Sequence, residues 1–192
     1  MPVLTPFLDR FPRGRAAFLV ALLLLGWVPS SVRSEISREY QVKATFLFNL
    51  TQFVKWPPAA FSGPEAPFTI GILGDDPFGP FLDATVKGEK VDGHPLMVKR
   101  FGNVVEAKDC QMLFISPSEM GHLREILGAL KGRKILTVGD KEGFVRGGGV
   151  VRFVTEKNKV HLRIGLEAAK EADLTISSQL LRLSEIGKRE VN

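Results

Sequence analysis

Three short apolar runs constrain the fold most: Phe68-Thr-Ile-Gly-Ile-Leu, Met112-Leu-Phe-Ile and Lys134-Ile-Leu-Thr-Val. Each is too short for a helix, lacks the polar alternation of a half-exposed strand, and is bounded by turn residues. Such runs read as strands buried on both faces. Helix-patterned stretches separate them. Phe78, Phe81, Leu82 and Val86 follow the first run, and Leu123, Ile126, Leu127 and Leu130 follow the second. Strands alternating with helices imply a parallel sheet with helices packed against it.

The rest of the chain extends this pattern. Ile36 to Trp56 reads as a first helix, with Ile36, Tyr40, Ala44, Leu47, Leu50 and Val54 in one stripe and Val42, Phe46 and Phe53 in a second beside it. Pro57 and Pro58 stop it. Asp76 is placed to cap a helix beginning at Pro77. A turn at Asp92-Gly93 precedes a strand over Leu96 to Phe101, and a helix is expected from Glu119 to Leu130. Val150 to Val154 and Val160 to Ile164 read as a hairpin, with Arg152, His161 and Arg163 facing away from the core. Leu166 to Ala172 is helical, Leu174 to Ile176 is extended, and Ser177 or Ser178 caps a last helix. The expected fold is α/β: a single three-layer domain, largely parallel, with helices on both faces and an antiparallel hairpin near the C-terminus.

The first 34 residues are set apart. Arg10, Arg13 and Arg15 precede the apolar run Ala16 to Val28, followed by Pro29, Ser30, Ser31, Val32, Arg33 and Ser34. A basic start, an apolar stretch of this length and a helix breaker make a secretory signal peptide over 1–34, cut near Ser34, with the mature domain spanning 35–192. The run is short for a membrane-spanning helix, which takes roughly 20 apolar residues. An uncleaved anchor is the rival reading, and then the membrane is met only through this segment. Four of the 26 basic and one of the 21 acidic side chains lie before Glu35, so the mature part carries 22 and 20. So balanced a charge argues against a nucleic-acid partner, which calls for a concentrated basic face.

The residues that could carry chemistry do not assemble into a known pattern. Asp75-Asp76 resembles the acidic pair of a phosphate-receiving domain, but Ser116 and Pro117 stand where the acceptor aspartate would end the third strand. Gly71 to Gly79 is too loosely spaced for a dinucleotide loop, and Pro77 removes a backbone donor. Gly147-Gly148-Gly149 leads into a strand, not a helix, and reads as a flexible approach to the hairpin. His94, His122 and His161 lie on different elements without metal-ligand spacing. The single Cys110 permits no internal disulfide and reads as a small core residue. No catalytic residue, metal ligand or cofactor is expected.

Several segments resemble a known family in order and spacing. Lys43-Ala-Thr-Phe-Leu-Phe-Asn-Leu with Phe53-Val-Lys-Trp-Pro57 is similar to the opening helix of YfiR-like proteins, and Phe68 to Phe78 to their first strand and turn. Leu166-Glu-Ala-Ala-Lys with Ile176-Ser-Ser-Gln-Leu-Leu-Arg-Leu183 is similar to their closing segment. The likeness runs from about Glu39 to Ile186. It implies a periplasmic, non-enzymatic regulator that binds the outer sensing domain of a membrane signalling protein, a diguanylate cyclase or a sensor kinase, and represses it. Some relatives use disulfides, which this chain cannot form internally. The expected contact surface is Phe46, Phe53 and Trp56 together with the glycine-rich approach to the hairpin, because the first helix has a wider apolar face than burial on one side requires. A second copy of the chain is a further candidate partner. The alternatives are a periplasmic small-ligand sensor, with its pocket near Asp75, Ser116 and Asp140 at the carboxyl ends of the strands, and an uncharacterised enzyme.

Overall fold

A computed structural model describes residues 38–157 and 159–186. The signal-peptide expectation therefore lies outside the described residues. Helix α1 (Arg38–Phe53) leads into the short strand β1 (Val54–Lys55) and a 3-10 turn at Pro58–Ala60. Then come β2 (Phe68–Leu73), α2 (Pro80–Val86), β3 (Lys90–Val91), β4 (His94–Phe101) and β5 (Met112–Ile115). A 3-10 segment at Pro117–His122 runs into α3 (Leu123–Ala129), followed by β6 (Leu136–Gly139) and the hairpin β7 (Val151–Glu156) and β8 (Lys159–Ile164). The chain closes with α4 (Leu166–Glu171), β9 (Thr175–Ile176), α5 (Ser178–Leu183) and β10 (Glu185–Ile186).

Among the described residues the main sheet has eight strands in the order β10-β8-β7-β6-β5-β2-β4-β3. The pairs β4–β2, β2–β5, β5–β6 and β6–β7 are parallel, and so is β8–β10. The hairpin β7–β8 and the edge pair β3–β4 are antiparallel. Asp92 and Gly93, with φ of 49° and 88°, make the two-residue turn between β3 and β4.

Period-2 alternation sorts the strand side chains into two cores. Phe68, Ile70 and Ile72 of β2, Met112 and Phe114 of β5, and Leu136 and Val138 of β6 pack with α1, α2, α4 and α5. Leu73, Leu113 and Ile115 face the other way, against Leu123 and Ile126 of α3, Ala107, Cys110 and Phe144. The three-layer α/β reading holds, with helices on both faces. Gly71 is required on the α3 face: a Cβ there would stand 2.7 Å from the Phe101 ring.

Four local expectations need correction. The first helix was expected to reach Trp56 but ends at Phe53, because Val54 and Lys55 pair antiparallel with Ile176 and Thr175. Asp76 does not cap a helix at Pro77. Its Oδ1 accepts from the Phe78 and Gly79 N–H groups, and α2 starts at Pro80 after Gly79 turns at φ 51°. The helix expected from Glu119 is a 3-10 segment until His122 and α-helical only from Leu123. The glycine-rich stretch is packed, not slack. The Phe144 ring lies so close that a Cβ on Gly139 or Gly149 would collide with it, and the Gly149 N–H donates to Phe144 O at 3.0 Å. By contrast, Ser177 does cap α5, its Oγ accepting from the Leu180 N–H at 3.2 Å.

Candidate functional site

The carboxyl ends of the parallel strands come first, because α/β sheets place ligands where strand order reverses. Here that point lies between β2 and β5, since the chain passes from β2 outward to β4 and then back across to β5. It is filled. The Asp75 N–H donates to Ser118 Oγ at 3.1 Å, and Gly74, at φ 85°, lies against Ser118 and Glu119. Ser116 is buried. Asp76 turns aside to Arg100, whose Nε donates to Asp76 Oδ2 at 3.0 Å and whose Nη1 donates to Asp83 Oδ1 at 2.8 Å. The Arg100 guanidinium, by hydrogen bonding, holds the Asp83 carboxyl below its ordinary value.

Asp140, just beyond β6, sits in a partly buried ionic cluster. Lys43 Nζ donates to Asp140 Oδ2 at 2.8 Å and lies 2.6 Å from Glu39 Oε1. Tyr40 donates its hydroxyl to the same Asp140 oxygen at 2.7 Å, and Thr155 on β7 donates to Glu39 at 2.8 Å. Burial first, and then the Asp140 hydrogen bond, pushes the Tyr40 hydroxyl well above its ordinary range. Glu39 is held below its ordinary value, chiefly by Lys43. The cluster fastens the first turns of α1 to the ends of β6 and β7. Sequence reasoning missed Lys43 as an ion. The available signal was a lysine inside an apolar stripe four residues after a glutamate.

The three expected contact residues lie at the outer margin of the α1 side of the core, each half-buried. Phe46 sets its ring at an angle on Phe153 at 6.1 Å, and Trp56 meets Phe68 edge-on at 4.7 Å. Trp56 also donates its indole N–H to Gln111 O at 2.9 Å. Phe53 packs against the same core, and its carbonyl accepts from the Ser177 N–H. Val42, one turn before Phe46, is 41% exposed. The stripe thus presents partly open apolar rings beside the exposed polar residues Thr45, Asn49 and Gln52.

The histidines stay apart. His94 stacks on Phe61 with centroids 3.8 Å apart and bonds Ala66 O through Nδ1 at 2.6 Å. Among the described residues no group of three His, Cys, Asp or Glu side chains is placed to hold a metal. Cys110 is buried, and desolvation pushes its thiol up to about 12.

The described residues thus form a three-layer α/β domain with internal polar ties at its strand ends and an apolar margin along its first helix. The chain belongs to the YfiR/HmsC-like family (DUF4154), whose pattern matches residues 40–185. That family is periplasmic, regulatory and non-catalytic, and works in cyclic di-GMP signalling with a membrane signalling protein. No described helix is long and apolar enough to cross a membrane. Among curated proteins none matches the sequence. The fold is similar to a conserved domain protein from Vibrio cholerae O1 biovar eltor, with 10% identity, a TM-score of 0.52, and coverage of 76% of this chain and 58% of that one. It is also similar to the ABC domain from Streptococcus pneumoniae in complex with L-Trp, with 12% identity, a TM-score of 0.51, and coverage of 76% and 59%. The chain thus spans less than two thirds of either structure, and at these identities the likeness is one of fold.

Proposed function

We propose that this chain is exported by its N-terminal segment and acts in the periplasm as a non-catalytic regulator. It binds the outer sensing domain of a membrane diguanylate cyclase and represses it. The observation that carries this reading is the family pattern over residues 40–185. The half-open aromatic margin of α1 and its continuation, with Phe46, Phe53 and Trp56, supplies the contact surface. Aromatic side chains at the edge of a rigid core are well suited to anchor a partner. Repression requires the regulator to bind the inactive state of the cyclase more tightly than the active one.

The test is genetic and biochemical together. Deleting the gene raises cellular cyclic di-GMP, and the wild-type chain restores it while Phe53→Asp does not, with the variant still exported and folded. Cyclic di-GMP that stays unchanged on deletion overturns the reading. A Phe53→Asp variant that restores repression removes this margin as the contact.

A further inference from the structure

A cavity of about 610 Å³ opens at the amino ends of β2, β5 and β6, the opposite edge of the sheet from the filled crevice. Its volume lies within the range of small-molecule sites. One wall is the segment after β1, from Ala59 to Pro67, and Gln111 locks that wall to the sheet. The Gln111 Oε1 accepts from the Thr69 N–H at 2.8 Å, and its Nε2 donates to Ala60 O at 2.7 Å. The floor is therefore built and rigid, with Thr69 and Gln111 both buried.

The charge around this floor is one-sided. Lys99, Lys108, Arg133 and Lys134 line the cavity against a single carboxylate, Asp109. The cations Lys43 and Arg100 are closed by short bonds, and those around this floor are not. Arg133 stands 3.6 Å from an Asp109 that is 96% exposed, and Lys134 stands 3.9 Å from Asp173. Pairs this long and this exposed contribute little. Among the described residues Lys99 and Lys108 have no ion-pair partner. Like charges gathered around a concave surface repel one another and focus a positive potential into it. An anion relieves that repulsion.

We infer that this cavity is a binding site for a small organic polyanion bearing phosphate or clustered carboxylate groups, held by Lys99, Lys108, Arg133 and Lys134. The site stands apart from the partner reading, since it uses none of the proposed contact side chains, and either can fail without the other.

The experiment titrates the isotope-labelled mature domain with pyrophosphate and with citrate at constant ionic strength, following backbone amide shifts. Saturable shifts gathered at residues 108–111 and 132–135 support the site, and the tighter of the two probes names the preferred group. The double variant Lys99→Gln/Lys134→Gln weakens binding by about tenfold or more, since each charge-assisted contact is worth more than a neutral one. Lys90→Gln, outside the cavity, leaves binding unchanged. Shifts spread over all basic surface residues and matched by sodium chloride at equal ionic strength overturn the inference. So does affinity unaffected by the double variant.

Discussion

The ammonium of Lys43 and the carboxylate of Asp140 meet at 2.8 Å although 97 residues separate them, and their side chains are only 4% and 7% exposed. Removing one partner of a buried pair leaves an uncompensated charge, at a cost of about 3–5 kcal/mol. Lys43→Met is therefore strongly destabilising in urea unfolding. Lys43→Met/Asp140→Asn recovers part of the loss, because the amide carries no charge and still accepts from Tyr40. A single variant as stable as the wild type would show that the pair contributes nothing.

Trp56 joins packing to hydrogen bonding. Trp56→Phe keeps an aromatic ring against Phe68 but loses the bond to Gln111 O. The expected loss is about 1 kcal/mol, since that carbonyl also accepts from the Leu136 N–H. Equilibrium unfolding measures it. A larger effect on repression than on stability would assign Trp56 to the contact surface as well.

Gly149→Ala forces a methyl group into the Phe144 ring, which is fully buried. Overpacking of this kind costs about 1–3 kcal/mol. The same change at Gly63, where an added Cβ meets nothing within 4 Å, has a far smaller effect. Paired melting curves of the two variants check the contrast.

Acid sensitivity follows from Glu39 and Asp83. Both carboxyls titrate below their ordinary values of 4.5 and 3.8, so their charged forms favour the folded state. Their contribution is complete above those ordinary values and is lost as pH falls through the lowered folded ones. Both groups are partly open to water, so together they are worth about 1 kcal/mol. Unfolding free energies measured from pH 6 down to pH 3 should fall less steeply in Glu39→Gln/Asp83→Asn than in the wild type.

The parts legible in the sequence were those that local pattern decides. The apolar runs at Phe68, Met112 and Leu136 are strands because burial on both faces leaves no polar alternation to confuse. Ser177 caps α5 because a serine hydroxyl is suited to a helix's first free N–H groups. What pattern could not show depends on distant partners. Helix α1 stops before Trp56 because Thr175 and Ile176 claim the next two residues for a ladder. The lysine of the apolar stripe has a local partner in Glu39, but its buried partner, Asp140, arrives only from the end of β6. Asp75 and Ser116 do stand at the expected carboxyl ends, but sequence spacing could not show that Ser118 lies against them, its hydroxyl accepting from the Asp75 N–H.

Cys110 has a practical consequence. The chain's single thiol is shut inside the core beside Ala107 and Leu113, and in the folded state it is barely ionised at neutral pH. Thiol reagents attack the thiolate and need access to it. The native protein is thus a silent background for chemical labelling. A cysteine placed at exposed Val42 or Thr45 would be the one position to take a fluorophore or spin probe, so distances from α1 to a membrane partner can be read without first removing a native residue.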